Sequence, residues 1–392
     1  MADAFIVGAL RTATGRNRGR LSKTHPVDLG AMLVDGLLEQ VGIDPHAVDD
    51  LVFGCVSQYG AQTGNVARNV ALASKLGEAV PGVTVDRQCG SAQQAIHFAA
   101  QAVMSGTQDV VIAGGVESMS QVPMFSAVDD AAEKGRGKPK SDRLEARYPG
   151  VEFSQFMGAE LLAKKYDITR AQLDEFGYQS HMKAAAATEA GKFRQEILPL
   201  ELTTEDGRVI VHDADEGIRP NASLEAMKTL EPLAPGGVIT AGTASQISDG
   251  AAAVMLANAD AVKRLGLKPR ARIRALAVVG SDPVIMLEGP IPATRKALER
   301  AGLTIDDIDL YEINEAFGSV PLAWAKAVGA DPAKLNVNGG AQANGHPLGC
   351  TGAKLMTTLL NELERRKGRY GLLAICEGGG TANATIIERL DS

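Results

Sequence analysis

A cysteine at a strand-to-helix junction is the first residue of this sequence that could do chemistry. Cys89 follows the β-branched run of residues 83–85 and precedes a long helical pattern that starts after Gly90. At a helix N-terminus, free N–H groups and the helix dipole favour a thiolate, which predicts a lowered pKa for the thiol and a place to hold an oxyanion. The alternative is a small buried thiol at a strand end, because free cysteine is among the most buried residue types.

A histidine and a second cysteine lie in glycine-rich turns. His346 belongs to the segment NVNGGAQANGHPLGCTGAK, in which five glycines let the backbone approach closely around one imidazole. This setting suits a general base or an activator of a thiol better than a solvent-facing loop histidine. Cys376 follows a buried strand pattern and precedes three glycines, so it repeats the strand-end position of Cys89. A core thiol is again the alternative.

Two polar residues follow a third strand pattern. Asn314 and Glu315 come directly after residues 310–313, which are predicted to form a strand. Because α/β folds build their sites at strand ends, we expect these side chains near a site, although Asn also caps helices well. The sequence has no GxGxxG, P-loop, HExxH or GxSxG motif, so cysteine, histidine and amide side chains are its candidates for chemistry.

An internal repeat predicts the elements that position these residues. The stretch LEQVGIDPHAVDDLVF from Leu38 matches LERAGLTIDDIDLYE from Leu298, and each predicts helix, turn and strand. Residues 92–117 and 353–380 form a second matching pair, each a helix followed by a strand. Two matches in the same order predict a duplicated α/β fold with halves at residues 1–120 and 271–392.

The material between the halves has a different character. Six basic residues fall between Lys134 and Arg147 with few large apolar residues, and the helical patterns GAELLAKKYDI and RAQLDEFGYQSHMKAAAATEA follow. We therefore predict an inserted loop domain at residues 121–250, after which residues 251–270 complete the N-terminal half.

Composition excludes several classes of protein. A chain of 392 residues is long enough for two domains, and a net charge of -7 argues against a general nucleic-acid surface. Its apolar runs fall short of the ~18 residues of a membrane helix, which predicts no membrane partner. Four widely spaced cysteines without a CxxC pair disfavour zinc and disulfides, and the N-terminal residues lack a signal-peptide pattern. These features predict a cytoplasmic protein without a metal.

Six ordered segments resemble the thiolase family from end to end. DRQCGSAQQA, YEINEAFG, NVNGGAQANGHPLGCTGAK and CEGGGTANA are similar to its active-site segments, and TAGTASQISDGAAAV and EGPIPATRKALERAG to two further signatures. The resemblance implies a duplicated, five-layered αβαβα thiolase fold with an inserted loop domain that helps bind CoA. It also implies CoA-dependent cleavage of 3-ketoacyl-CoA to acetyl-CoA and a shortened acyl-CoA, or the reverse condensation.

The resemblance also implies roles for individual residues. Cys89 would be the acylated nucleophile, His346 its activator, and Cys376 the group that moves the proton on the acetyl α-carbon. Asn314 would hold a water that, with His346, stabilises one oxyanion, while backbone N–H groups of Cys89 and Gly378 would stabilise the other.

Substrate and partner expectations follow from the same resemblance. Ser245 matches a residue that contacts the pantetheine arm of CoA, and Arg219 matches one that approaches its nucleotide. CoA is expected as a co-substrate, with no permanently bound cofactor, and the expected assembly is a homodimer or homotetramer.

Three polar residues depart from the family pattern. Gln342, Asn344 and Glu377 stand where apolar residues are usual, and Ala382 replaces a common glycine. A catalytically weakened homologue that binds acyl-CoA or acts as a scaffold is therefore an alternative. A ketoacyl-synthase-like enzyme is disfavoured, because Cys376 stands where its second histidine would be. Acyl chain length, a branched or steroid side chain and the direction of the reaction are left open.

Overall fold

The computed structural model describes residues 3–204 and 206–391. Its helices are α1 (Pro26–Val41), α2 (Val66–Ala73), α3 (Ser91–Ser105), α4 (Ser126–Glu133), α5 (Asp142–Arg147), α6 (Gln155–Lys165), α7 (Arg170–Glu189), α8 (Leu224–Lys228), α9 (Ala259–Arg264), α10 (Pro290–Ala301), α11 (Ser319–Val328), α12 (Ala341–Asn344) and α13 (Thr351–Arg366). Its strands are β1 (Phe5–Thr12), β2 (Gly15–Arg16), β3 (Asp50–Gly54), β4 (Gly82–Val85), β5 (Val110–Ser118), β6 (Ile197–Leu198), β7 (Leu200–Thr203), β8 (Val209–His212), β9 (Ser248–Ala257), β10 (Ala271–Gly280), β11 (Leu310–Ile313), β12 (Tyr370–Glu377) and β13 (Thr381–Arg389).

The sequence repeat is a structural repeat. α1 and α10 each end at a left-handed glycine, Gly42 with φ 71° and Gly302 with φ 66°, and each is followed by a short 3-10 turn and a strand. Glycine reaches this conformation without the steric cost of a Cβ, which allows a tight helix end. The second pair, α3–β5 and α13–β12, also repeats helix then strand.

Strand pairing gives two mixed sheets joined at one edge. The first runs β4-β3-β5-β9-β1 and the second β10-β13-β12-β11. β1 meets β10 through only two residue pairs, Phe5 with Arg272 and Ile6 with Ala271. Pairs β3–β4, β3–β5 and β11–β12 are parallel, so their strands end at one edge of each sheet, where Asn314 and Cys376 are found.

Successive residues of a strand pack into different hydrophobic cores, which shows that both faces of each sheet are covered. In β9, Ala252 and Val254 face the central core, whereas Ala253 and Met255 face the outer N-terminal core. The central core contains α3 and α13, which pack against each other between the sheets, while α1 and α2 cover one outer face and α10 and α11 the other. The predicted five-layered αβαβα fold is confirmed.

A buried ion cluster ties the segment between β5 and β9 to β1. The wholly buried guanidinium of Arg11 donates from Nε to Glu196 at 2.8 Å and from Nη1 to Asp215 at 2.8 Å. A buried charge is tolerated only when it is paired, so these carboxylates fix where the segment crosses β1. The domain limits at 1–120, 121–250 and 271–392 stay predictions.

Candidate active site

The first candidate nucleophile lies at the start of α3. Cys89 directly precedes the helix cap Gly90 and follows Gln88, a non-glycine residue held at a left-handed φ of 49°. The expected lowering of the Cys89 pKa is wrong for the structure at rest. Burial raises this pKa to about 12, and Glu377 acts in the same direction. The thiol is therefore protonated at neutral pH and needs a base to become a nucleophile.

His346 has the protonation state of such a base. Its Nδ1 lies 2.6 Å from the hydroxyl of Thr351, and that hydroxyl lies 2.8 Å from the carbonyl oxygen of Pro347. Because the carbonyl can only accept, Thr351 donates to it and accepts from Nδ1–H of His346. Nε2 is then the unprotonated nitrogen, which can accept. Burial lowers the His346 pKa to about 3, so the ring is neutral at physiological pH.

Asn314 and Glu315 take different roles at the end of β11. Asn314 donates from Nδ2 to Nε2 of His346 at 3.3 Å, and its buried Oδ1 has no partner among residues 3–204 and 206–391. Glu315 instead accepts from the Ser180 hydroxyl at 2.7 Å and from Asn336 at 2.9 Å. The amide thus belongs to the site, and the carboxylate holds the neighbouring loops together.

The second cysteine is the last residue but one of β12 and lies close to the first. Burial raises the Cys376 pKa well above its usual value, with Cys89 as the next cause, which places the two thiols close enough to interact. Gly378 and Cys89 line the same cavity. The ends of two different halves therefore bring both sequence-predicted cysteines and the glycine turn together.

Glu377 sits against the backbone of the nucleophile segment. Its Oε2 accepts from the Thr381 hydroxyl at 2.7 Å, while a Cβ placed on Gly90 would lie 1.8 Å from its Oε1. Only glycine at position 90 leaves room for this carboxyl. Burial raises the Glu377 pKa to about 8, so the group is mostly a neutral acid at neutral pH.

This placement predicts an unusual pH dependence for Cys89. Above about pH 8 Glu377 ionises, and its carboxylate then opposes thiolate formation at Cys89. We expect Glu377→Gln to leave the rate of Cys89 alkylation by iodoacetamide nearly unchanged at pH 7 and to raise it several-fold at pH 9. A fall of about one unit in the Cys89 pKa raises the thiolate fraction, and with it the alkylation rate, about tenfold. Peptide mass spectrometry of the alkylated Cys89 gives the rate.

The control for that measurement is Glu299→Gln, which removes an exposed carboxylate on α10. Equal alkylation profiles for Glu377→Gln and the parent protein would contradict the prediction.

The raised Glu377 pKa also affects the stability of the fold. Because the folded state holds this proton more tightly than the unfolded chain, the fold loses stability as pH rises from 4.5 to about 8, and Glu377→Gln removes that loss.

The other two polar departures have structural partners. Gln342 donates from Nε2 to the carbonyl of Thr243 at 3.0 Å. Asn344 accepts at Oδ1 from the Nζ of Lys354 at 2.6 Å. Both side chains are buried and bonded, so they replace apolar packing with specific hydrogen bonds.

A largely apolar cavity of about 740 Å³ opens above Cys89. Phe125 and Phe156 in its wall are 58% and 42% exposed, so they have surface left for contact with an acyl group. The cavity is lined by Val56, Ser57, Gln58, Asp86, Gln88, Cys89, Met124, Phe125, Ser126, Ala127, Val128, Phe153, Ser154, Gln155, Phe156, Met286, Leu348, Gly378 and Gly379. Leu348 comes from the His346 loop, which therefore reaches the same space.

A second cavity, of about 420 Å³, contains the predicted nucleotide contact. Arg219 is exposed at its wall, and its backbone N–H donates to Nδ1 of His181 at 3.1 Å. Ser245 does not line this cavity but directly precedes Gln246, which does. The backbone N–H of Ser245 donates to the carbonyl of Ala316 at 2.9 Å, next to the strand end that carries Asn314.

Sequence reasoning missed the residues that hold the site together. Ser248 accepts from the backbone N–H of His346 at 2.8 Å. Glu117 accepts from the backbone N–H groups of Val56 at 2.9 Å and Gly349 at 2.8 Å, which links the cavity wall to the His346 loop. The position of a carboxylate directly after the apolar run DVVIAGGV could have indicated that Glu117 lies near the site. No sequence pattern indicates that Ser248 and Thr351 bind His346.

These features define the class of enzyme. A buried thiol, that of Cys89, and the glycine turn at Gly378 line an apolar cavity. The second buried thiol lies two residues before that turn, and the loop of the neutral imidazole, whose Nε2 is unprotonated, contributes Leu348 to the cavity wall. That combination suits acyl transfer through a cysteine thioester, with donors for the oxyanions that form on the way.

Comparison with known proteins gives the family. Residues 4–260 match the model for the thiolase N-terminal domain, and residues 267–389 match that for the thiolase C-terminal domain. The chain is 56% identical, over 100% of its length and 95% of the relative's, to steroid 3-ketoacyl-CoA thiolase FadA6 of Mycobacterium tuberculosis. It is 45% and 44% identical to the 3-ketoacyl-CoA thiolases of Idiomarina loihiensis and Aeromonas hydrophila, with all of both chains covered. The chain belongs to the thiolase family.

The family, fold and enzyme class predicted from the sequence are thereby confirmed. The chain is an acyltransferase that cleaves 3-ketoacyl-CoA with CoA or runs the reverse condensation. The relatives give no support to the scaffold alternative.

Proposed function

We propose that this thiolase works in the degradative direction on 3-ketoacyl-CoA substrates with a bulky, alicyclic acyl group. The observation that carries the proposal is the broad apolar cavity of about 740 Å³ directly above Cys89. A linear acetoacetyl group would leave most of that apolar surface uncovered, whereas a ring system would bury it. The name of the 56% identical relative, a steroid 3-ketoacyl-CoA thiolase, points to the same class of substrate.

The first half-reaction begins at Cys89. Nε2 of His346 takes the thiol proton, and the thiolate attacks the 3-keto carbon. The backbone N–H groups of Cys89 and Gly378 hold the resulting oxyanion. When the bond between C2 and C3 breaks, its electron pair passes to the acetyl-CoA enolate, which takes its proton from Cys376. The shortened acyl group stays on Cys89 as a thioester.

The second half-reaction restores both thiols. The Cys376 thiolate takes the proton of an incoming CoA thiol, and the CoA thiolate attacks the acyl-Cys89 thioester. Cys89 leaves as a thiolate and regains its proton from the His346 imidazolium. Asn314, which donates to Nε2 of His346 in the resting site, would hold the water that helps stabilise the enolate oxygen. All protons return to their starting groups.

CoA is placed by two residues that lie outside the apolar cavity. Ser245 adjoins the strand end that carries Asn314, which suits a contact with the pantetheine arm near the reacting centre. Arg219 is exposed in the second cavity, where its guanidinium is free to meet the phosphates of the nucleotide.

The assembly that we propose is a homodimer, with a dimer of dimers through the loop domain as the larger form. Within the described part of the chain, β4 pairs with β3 alone, and Val83 on β4 is 46% exposed. An exposed apolar edge strand is a ready site for pairing with a second copy. All four cysteines are free and buried, which fits the reducing cytoplasm. No helix within residues 3–204 and 206–391 has the length and apolar character to cross a bilayer.

The substrate proposal is tested by comparing thiolysis of three 3-ketoacyl-CoA esters. We expect kcat/KM to be highest for an ester with a fused-ring acyl group, lower for a linear long chain and lowest for acetoacetyl-CoA. Phe125→Ala should reduce kcat/KM for the ring ester about tenfold and leave acetoacetyl-CoA unaffected, since one lost apolar contact costs about that much.

The matched control is Leu233→Ala, which removes an apolar side chain of similar exposure that does not line the cavity. A higher kcat/KM for acetoacetyl-CoA than for the ring ester would overturn the substrate proposal. It would leave the residue roles standing, because any turnover uses them.

A further inference from the structure

We propose that Lys354 is a positioning residue whose buried ammonium group holds the loop that carries His346. The inference rests on the proposed role of His346 as the base. Lys354 lies on α13, three residues after Thr351, whose hydroxyl accepts from the imidazole. Residues three apart lie on one face of a helix, so a single helix face contacts both the ring and the loop before it.

Each N–H donor of the Lys354 ammonium group has an acceptor. Nζ of Lys354 donates to the carbonyl of Asn344 at 3.1 Å, to its side-chain Oδ1 at 2.6 Å and to the carbonyl of Gly345 at 3.0 Å. All three N–H donors therefore point at the two residues directly before His346. The position of Asn344 departs from the apolar family pattern, and its side chain supplies the shortest of the three contacts.

The loop needs an external donor at this point. α12 is only four residues long and ends at Asn344, and Gly345 follows with a left-handed φ of 84°. The carbonyl groups of such a short helix end lack helical partners, and buried carbonyls without a donor are costly. Ser248 holds the backbone N–H of His346 and Thr351 holds its Nδ1, so Lys354 supplies the third point of attachment.

The charges around Lys354 keep it a cation at neutral pH. Burial lowers its pKa to about 8, and the opposite charge of Asp215 is the largest effect in the other direction. Arg11, Cys350 and Glu196 also face it from β1, the start of α13 and the loop segment. Two cations and two carboxylates thus share the buried space.

The cation has a second effect on the base. Lys354 acts with burial to lower the pKa of His346, which keeps the imidazole unprotonated and ready to take the Cys89 proton. It also lowers the pKa of the buried Glu312 carboxyl on β11, which burial raises. The residue therefore holds the loop that carries the imidazole and adds to the effect of burial that keeps the ring neutral.

The test is a double-mutant cycle between position 354 and His346. We expect Lys354→Met to lower kcat for thiolysis of acetoacetyl-CoA about 100-fold with little change in KM, because a small misplacement of a catalytic group costs about that much. Lys354→Arg keeps the charge and should recover most of the rate. In a His346→Ala background, Lys354→Met should cause no further loss, since a residue that acts through His346 has nothing left to position.

Two further variants keep the test decisive. Asn344→Leu removes the shortest contact without touching the lysine and should lower kcat about tenfold, again only when His346 is present. Lys296→Met is the matched control, because Lys296 on α10 also donates to a backbone carbonyl, that of Val278 at 2.9 Å, and not to the His346 loop. Circular dichroism and thermal melting establish that each variant is folded.

The outcomes separate this inference from the proposed function. Equal losses from Lys354→Met and Asn344→Leu with and without His346 would overturn the positioning role and leave a purely structural one. A folded Lys354→Met enzyme with the parent kcat would also overturn it. If His346→Ala itself kept the parent activity, the proposed function of the base would fail instead.

Discussion

Cys89→Ala is expected to abolish thiolysis, lowering kcat/KM by at least about 10,000-fold, as removal of a covalent nucleophile does in enzymes of this kind. In the proposed mechanism, Cys89 provides the sulfur that carries the acyl group between the two half-reactions. No other group in the cavity lining is a thiol. The loss of 3-ketoacyl-CoA absorbance in a steady-state assay measures the effect.

The acyl-enzyme gives an independent measurement of the same role. Parent protein incubated with 3-ketoacyl-CoA and no free CoA should gain the mass of one acyl group on the peptide that contains Cys89, and Cys89→Ala should gain none. Cys55→Ala is the matched control, because Cys55 is also a buried free thiol but lies outside the cavity lining. Acylation of Cys89→Ala at another residue would show that the nucleophile is misassigned.

Local sequence was enough to predict the elements of the fold. The glycines at positions 42 and 302 end helices because the left-handed conformation suits glycine, and this signal recurs at the same place in both halves. The strand ends near Cys89, Asn314 and Cys376 could likewise be predicted, since apolar runs stop there and glycine or polar residues follow. Those signals lie within a few residues of the features that they predict.

The electrostatics of the site could not be predicted in this way. The helix N-terminus at Cys89 suggested a lowered pKa, but burial by residues from both halves raises it instead. Burial depends on the whole packed structure, so no local pattern reports it. The same holds for Lys354 and Asn344, whose contact depends on how α13 packs against the loop before it.

The position of Glu377 could be predicted only in part from the sequence. Strand alternation predicted that its side chain points away from that of Cys376, and the structure places it on Gly90, in the direction of the other cysteine. Which residue lies on that side depends on the packing of α3 against the second sheet. The periodicity gave the direction of the carboxyl, and only the tertiary structure gave its neighbour.

Cys376→Ser is the second substitution with a large expected effect, a loss of about 1,000-fold in kcat for carbon–carbon cleavage. General acid–base groups contribute rate factors of this size, and a serine hydroxyl is too weak an acid to exchange a proton with an enolate. Cys89 and His346 stay in place, so attack of Cys89 on an activated thioester should survive the change. Acylation of Cys89 by an aryl thioester, which forms no enolate and whose thiolate leaving group needs no proton, should therefore proceed at close to the parent rate.

That split distinguishes a proton-transfer role from a structural one. Parent enzyme should exchange the α-protons of acetyl-CoA with deuterium from the solvent, as followed by NMR, and Cys376→Ser should do so about 1,000-fold more slowly. Cys350→Ser is the matched control, since Cys350 is a buried thiol at the cap of α13 that the mechanism does not use. Exchange at the parent rate in Cys376→Ser would assign the proton transfer to another group. Of the groups that face the site, Glu377 would then be the first to test, because its raised pKa lets it hold a proton at neutral pH.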